Sequence, residues 1–118
     1  MRADPSDFLP LKPVDLELLL ALAAEERHGY ALVQAVASHT RGLVVLDPGN
    51  LYRVIKRLLA NGLVEETAPR DGSDASGERR RYYRLTTLGG RALRADIDRL
   101  RALVNAPDVR AAAKRWAL

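Results

Sequence analysis

The sequence predicts a mainly α-helical domain with one small β-hairpin, and three observations carry that prediction. Apolar residues recur at helical spacing in several separate stretches, most clearly Leu51, Val54, Ile55, Leu58 and Leu59. Two short runs rich in strand formers, Leu63–Ala68 and Arg79–Thr86, flank the polar run Pro69–Gly77. Near the end, Leu93, Ile97, Leu100 and Val104 follow one another at the a/d spacing of a helix that pairs with another helix.

Length and composition bound the rest. A chain of 118 residues is one domain by default, and at that size it buries about two-thirds of the surface its unfolded form exposes. There is no cysteine, so disulfides and thiolate chemistry are excluded, and two histidines offer little for zinc. No apolar run approaches the ~20 residues that span a bilayer. Met1–Pro10 mixes charges with two prolines and lacks the apolar stretch of a secretory signal. The expectation is a cytoplasmic protein with no membrane partner, cofactor or metal. Net charge is +4, unevenly spread. Met1–Gly49 carries four Lys or Arg against seven Asp or Glu, whereas Asn50–Arg101 carries twelve against seven.

In chain order, residues 1–10 read as a loose, flexible arm. Pro13 opens a first helix that runs through Glu26, with apolar residues so dense (Leu16, Leu18, Leu19, Leu20, Leu22, Ala23) that more than one face needs cover. Either it is a central core helix or its extra face meets a second subunit. Gly29 marks a turn. A second helix, Tyr30 to about Thr40, points Tyr30, Val33, Val36 and Ala37 inward. Leu43–Leu46 (LVVL) is long enough for one small strand.

The stretch Asp47–Asn61 organises the chain. Asp47 is a good N-cap, Pro48 suits the first turn, and Gly62 suits the stop. Opposite the apolar stripe stand Arg53 and Lys56, flanked by Asn50, Tyr52 and Arg57, with no acid from Asn50 to Asn61. A helix with one buried face and one face of cations, amide and phenol fits a DNA major groove, although a merely solvated basic helix has the same composition. Two helices joined by a short connector, the second cationic, form a helix-turn-helix.

The strands Leu63–Ala68 and Arg79–Thr86 then make a wing. Period two puts Tyr83 and Leu85 on one face, with Arg80, Tyr82 and Arg84 on the other. Arg79, Arg80 and Arg81 gather where the strand leaves the loop, and guanidinium groups grip phosphate in a bidentate way. Thr86 or Thr87 caps the final long helix, whose seam reads as a dimer interface. Arg91, Arg94, Asp96, Asp98, Arg99 and Arg101 read as its solvated face. Asn105–Pro107 ends that helix, and Asp108 caps a short tail helix carrying Val109, Ala112, Ala113 and Trp116. Trp116 reads first as a core residue.

These pieces together resemble a known family. His28-Gly29-Tyr30, then Asp47-Pro48-Gly49-Asn50-Leu51-Tyr52, then Leu58–Val64 (LLANGLV), then Arg81–Thr86 (RYYRLT) with Gly89 after it, are similar to the PadR family of bacterial transcriptional regulators. The resemblance spans roughly residues 11–103 and points to the short subclass. Where the family usually has Ser or Thr this chain has Asn50, and where it usually has Pro this chain has Arg53. What the resemblance implies is a winged helix-turn-helix domain over residues 11–86, a dimerisation helix over 87–105 and a helical tail over 106–118.

It further implies a transcriptional regulator, expected to be a repressor, that binds a pseudo-palindromic double-stranded operator as a homodimer. Some members of the family release DNA on binding a small aromatic or cationic inducer. The expected DNA contacts are Asn50, Tyr52, Arg53, Lys56 and Arg57 in the groove. Tyr30 and Gly49 touch phosphate through hydroxyl and backbone N–H, and Arg79, Arg80 and Arg81 form the wing contact. Leu93, Ile97, Leu100 and Val104 are the expected dimer contacts. Two other readings stay open, a winged-helix adaptor that binds an acidic protein and a MarR-like regulator. No Ser-His-acid, phosphate-loop or metal-binding pattern appears, so no catalytic residue is expected.

Overall fold

The computed structural model describes residues 3–68, 70–71 and 79–118. Helix α1 (Pro13–Ala24) starts at a proline and buries Leu18, Leu19 and Leu22. It stops short of the predicted Glu26, because Arg27–His28 forms a two-residue strand, β1, that the sequence did not betray. Helix α2 (Gly29–His39) follows at once. Gly29 is therefore its first residue rather than a break, and the cap is the His28 ring, whose Nδ1 accepts from the Ala31 N–H at 3.3 Å. The inward residues of α2 are Leu32 and Val36, while Tyr30 points outward.

The connection from Thr40 to Asp47 contains no strand. Arg41 and Gly42 turn it with φ of 54° and 80°. The Thr40 hydroxyl accepts from the Val44 N–H at 3.1 Å and donates to the Val36 carbonyl at 2.8 Å. Leu43 and Val45 are exposed while Leu46 is buried. The alternation expected of a strand is present, but among the described residues no neighbouring strand lies alongside to pair with it.

Helix α3 (Pro48–Ala60) is capped by Asp47, whose carboxylate accepts from the Asn50 N–H at 2.9 Å. Leu51, Val54, Ile55 and Leu58 are buried. Each contributes about 1.5–3 kcal/mol by leaving water, so the inner face anchors α3 and leaves its outer face exposed. Gly62 ends it at φ +74°, and the Leu63 N–H returns to the Leu58 carbonyl at 3.0 Å.

A three-stranded antiparallel sheet has the order β1–β5–β2, with β2 at Val64–Glu66 and β5 at Tyr82–Leu85. Tyr83 of β5 stands opposite Arg27 on one side and Glu66 on the other. Beyond it β3 (Arg70–Asp71) pairs with β4 (Arg79–Arg80), extending the hairpin. The predicted loop thus holds a strand at Arg70–Asp71, and the rest of Pro69–Gly77 lies outside the described residues. Tyr83 is buried, Leu85 half-buried and Arg84 exposed, as period two requires.

Helix α4 (Thr87–Asn105) is capped by the Thr86 hydroxyl, which accepts from the Gly89 N–H at 2.9 Å. Its first half packs on the domain through Ala92 and Leu93, and a short helix α5 (Pro107–Arg115) follows. The N-terminal segment is not a free arm where it is described. Pro5–Phe8 forms a 3₁₀ turn with a capping box from Asp4 and Asp7, and Phe8 and Leu9 join the core.

Two expectations for α4 are corrected. Asp96 is not on the solvated face: it is fully buried, with Oδ1 accepting from Arg99 Nε at 2.7 Å. Its Oδ2 has no hydrogen-bond partner among the described residues, at a cost of about 1–3 kcal/mol. Leu93, 5% exposed, belongs to the chain's own core, and Ile97 packs partly against it. A helix pairing outward and a helix packing on its own domain show the same four-three-four spacing, so periodicity alone could not separate them.

Candidate nucleic-acid interface

The outer face of α3 presents Gly49, Asn50, Tyr52, Arg53 and Lys56, all exposed, with no acid among them. Asn50 Nδ2 reaches back to the Asp47 carboxylate at 3.3 Å, so its side chain supports the helix start while staying at the surface. Arg57 does not belong to this face. Its guanidinium is ion-paired with the buried Asp15 of α1, tying α3 to α1. On the helical wheel Arg57 sits at the edge of the cationic stripe. The Asp15 carboxylate, 42 residues away, decides which way it turns.

Beside α3 opens a cleft of about 390 Å³ lined by His28, Gly29, Tyr30, Tyr52, Arg80, Arg81 and Tyr83. Three elements meet there: the start of α2, the outer face of α3 and the base of the wing. Tyr30 and Tyr52 are each 63% exposed and offer phenol hydroxyls at its mouth. The N–H groups at the start of α2 add partial positive charge. Arg80 lies against the His28 ring, its Nη1 3.3 Å from Nδ1 and 3.2 Å from Nε2, and Tyr82 meets the same ring edge-on at 5.4 Å. Arg81 is largely exposed, with Glu66 at 3.5 Å. The Arg79 side chain lies outside the described residues. Burial first, then the Glu66 carboxylate, pushes the Tyr83 phenol above its ordinary pKa, so Tyr83 meets the cleft as a neutral group.

The structure therefore gathers Tyr30, Tyr52, Arg80 and Arg81 around one cleft, with Asn50, Arg53 and Lys56 on the adjoining helix face, and sets Arg57 apart. Sequence reasoning leaves His28 as either a structural or a phosphate-contacting residue, and it does not assign Tyr83 to the site. A histidine cap carries no sequence signal comparable to Ser, Thr, Asp or Asn, and Tyr83 reads simply as the buried side of a strand. A cavity of phenols, guanidiniums and amide N–H groups suits an anion such as a phosphate diester. Among the described residues no group of His, Asp or Glu could hold a metal ion, and no helix is long and apolar enough to cross a membrane.

Residues 18–95 match the transcriptional regulator PadR-like family. The chain belongs to that family. PadR-like proteins are transcriptional regulators and not enzymes. A PadR family transcription regulator from Clostridium difficile is similar in structure, with a TM-score of 0.66 at 20% identity over 89% of this chain and 98% of that one. A transcriptional regulator from Clostridium thermocellum gives 0.63 at 22% identity, over 89% and 90% of the two chains. RosR of H. salinarum gives 0.65 at 24% over 92% of each chain. In the complex structure named RosR-S4 the TM-score is 0.66 at 25%, over 95% and 91%. An uncharacterized protein of Lysinibacillus sphaericus is 29% identical over 76 residues, 64% of this chain and 67% of that protein.

Proposed function

We propose that this PadR-like regulator binds double-stranded operator DNA as a homodimer and acts as a repressor in the cytoplasm. The observation that carries the reading is the continuity of the acid-free face of α3 with the tyrosine- and arginine-lined cleft at Tyr52. In this reading α3 enters the major groove with Asn50, Tyr52, Arg53 and Lys56, and Arg53 reads a guanine edge. The phosphate beside the groove sits in the cleft, held by the Tyr30 hydroxyl and the α2 amides, while Gly49 approaches the backbone through its own N–H. Arg80, Arg81 and Arg79 carry the wing onto the flanking phosphates.

One such module binds weakly, and twofold pairing doubles the contacts. The distal part of α4 supports the pairing. Leu100 is half-buried and Leu103 and Val104 are exposed, an apolar stripe beyond the point where Leu93 and Ile97 are claimed by the core. Half-sites then lie about one helical turn, ~34 Å, apart. A dimer seated there represses by excluding other proteins from the same duplex. Release by a small aromatic or cationic inducer is part of the proposal and is tested by thermal shift and operator release with phenolic and cationic compounds.

The decisive experiment is selection of bound duplexes from a random pool at two salt concentrations, with sedimentation of the complexes. An enriched inverted repeat bound by two chains supports the reading. A pool that stays random, with no retention of any duplex at low salt, overturns it.

A further inference from the structure

Trp116 is not the core residue its type suggests: it is 76% exposed, with the Arg115 guanidinium 5.8 Å from its ring centre. The group poised for a partner lies in the first turn of α3, where Asp47 holds Asn50 at two points. Asp47 Oδ1 accepts from the Asn50 backbone N–H at 2.9 Å, and Oδ2 accepts from the side-chain Nδ2 at 3.3 Å. An ionised carboxylate offers acceptors only, whereas a primary amide has a donor end and an acceptor end of nearly the same shape. Turned over, the amide would set Asn50 Oδ1 against Asp47 Oδ2, two acceptors face to face. The nitrogen therefore points back to Asp47 and the carbonyl oxygen points away from it.

The start of the chain pairs the same two positions the other way. Asp7, third in its helical turn, accepts from the Asp4 N–H at 3.0 Å and completes a capping box that occupies its acceptor. Asn50 is third in α3 after the cap Asp47, but it engages its donor and keeps its acceptor. Among the described residues no donor meets Asn50 Oδ1, and both Asp47 and Asn50 are exposed. The Asp47 charge lies at the positive end of α3, which offsets it beside DNA. Asn50 stands one turn before Arg53, on the same side of the helix. Residues of the first turn are those that meet base edges when a recognition helix enters the major groove.

We infer that Asp47 locks Asn50 as a one-way acceptor for an exocyclic amino group on a base, adenine N6 or cytosine N4. Guanine and thymine carry O6 and O4 at the same level of the major groove, and these would face Asn50 Oδ1 with no proton between them. A keto oxygen reaching for the second Nδ2 hydrogen would lie between Asp47 Oδ2 and Asn50 Oδ1, both acceptors. An amide free to turn over serves either kind of base, so Asp47 is a positioning residue and the source of the discrimination. Three residues of helix advance roughly 4.5 Å, which puts the amino-bearing base within about one or two base pairs of the guanine read by Arg53. This inference rests on the operator reading and names the bases that Asn50 selects.

The test uses the full-length protein and duplexes selected from a random pool. One position in each half-site should hold adenine or cytosine and disfavour guanine and thymine by about tenfold. Asn50→Ala should level that position and keep the guanine preference that belongs to Arg53. Asp47→Ser retains a good N-cap, but its hydroxyl both donates and accepts, so it should level the same position. A loss of capping alone would instead weaken all duplexes alike and keep every base preference. A third measurement needs no variant: the selected base is replaced by its analogue without the amino group, purine for adenine or 2-pyrimidinone for cytosine. Wild-type affinity should fall about tenfold, and Asn50→Ala should bind both duplexes equally.

A selected operator in which no amino-bearing base depends on Asn50, or in which Asn50→Ala relaxes a guanine or thymine, overturns the inference and leaves the operator reading standing. So does an Asp47→Ser variant that loses affinity equally for every duplex. A wild-type pool that stays random at low salt overturns both.

Discussion

Gly89 and Gly90 are adjacent in the first turn of α4, yet alanine should act on them with opposite signs. A Cβ on Gly89 would stand 1.9 Å from the Leu63 carbonyl oxygen and 2.8 Å from its carbon. Both atoms are backbone, so no side chain can swing aside. The same oxygen accepts from the Thr86 N–H at 3.1 Å, and moving it loosens the joint between the strand leading into β2 and the cap of α4. Overpacking of this kind costs about 1–3 kcal/mol and occasionally more, and the weakened hydrogen bond adds about 1 kcal/mol. Alanine's higher helix propensity returns about 1 kcal/mol. Gly89→Ala should therefore lose about 1–3 kcal/mol net.

A Cβ on Gly90 meets nothing within 4 Å, so Gly90→Ala keeps the propensity gain of about 0.5–1 kcal/mol undiminished. Urea unfolding followed by circular dichroism checks both, with an unchanged slope confirming that stability alone has moved. In thermal melts of a domain this size, 1 kcal/mol is about 4 °C. If Gly89→Ala is as stable as the wild type, or if both variants shift the same way, the close approach of α4 to Leu63 is not what holds that joint.

Four further outcomes are expected. Arg57→Ala strands the buried Asp15 carboxylate and should cost about 3–5 kcal/mol in denaturant unfolding; an equal loss for an exposed control such as Lys56→Ala would refute the assignment. Arg53→Ala should lower affinity for the selected duplex by about 1–3 kcal/mol and relax preference at one base pair, read by competition gel shift. Arg81→Ala should weaken all duplexes alike and reduce the slope of log affinity against log salt by about 1; a sequence-dependent loss would move Arg81 from phosphate to base contact. Because burial raises the Tyr83 pKa above its ordinary 10.0, the unfolded chain ionises first. Stability from this group is complete below pH 10 and falls as pH rises toward the folded value. Tyr83→Phe should flatten that alkaline decline in pH-dependent unfolding, and an unchanged slope would place the loss elsewhere.

The sequence by itself determined the order of helices, the capped basic helix and the wing. Those follow from local rules: Asp47-Pro48 starts α3 and Gly62 stops it, an apolar stripe needs a core, and alternation in Tyr82–Leu85 needs a sheet. For the site, residue type and helical phase were enough to bring Tyr52, Arg53 and Lys56 to one face. Tertiary structure decided the questions on which local spacing is silent. Arg57 sits at a stripe's edge, and only Asp15 on another helix turns it inward. Leu93 and Val104 share one periodic seam, but where the domain ends determines that the first is core and the second is exposed. Leu43–Leu46 has the composition of a strand and, among the described residues, lacks a neighbouring strand to pair with. In each case the deciding contact lies far off in sequence, and a pattern read along the chain cannot contain it.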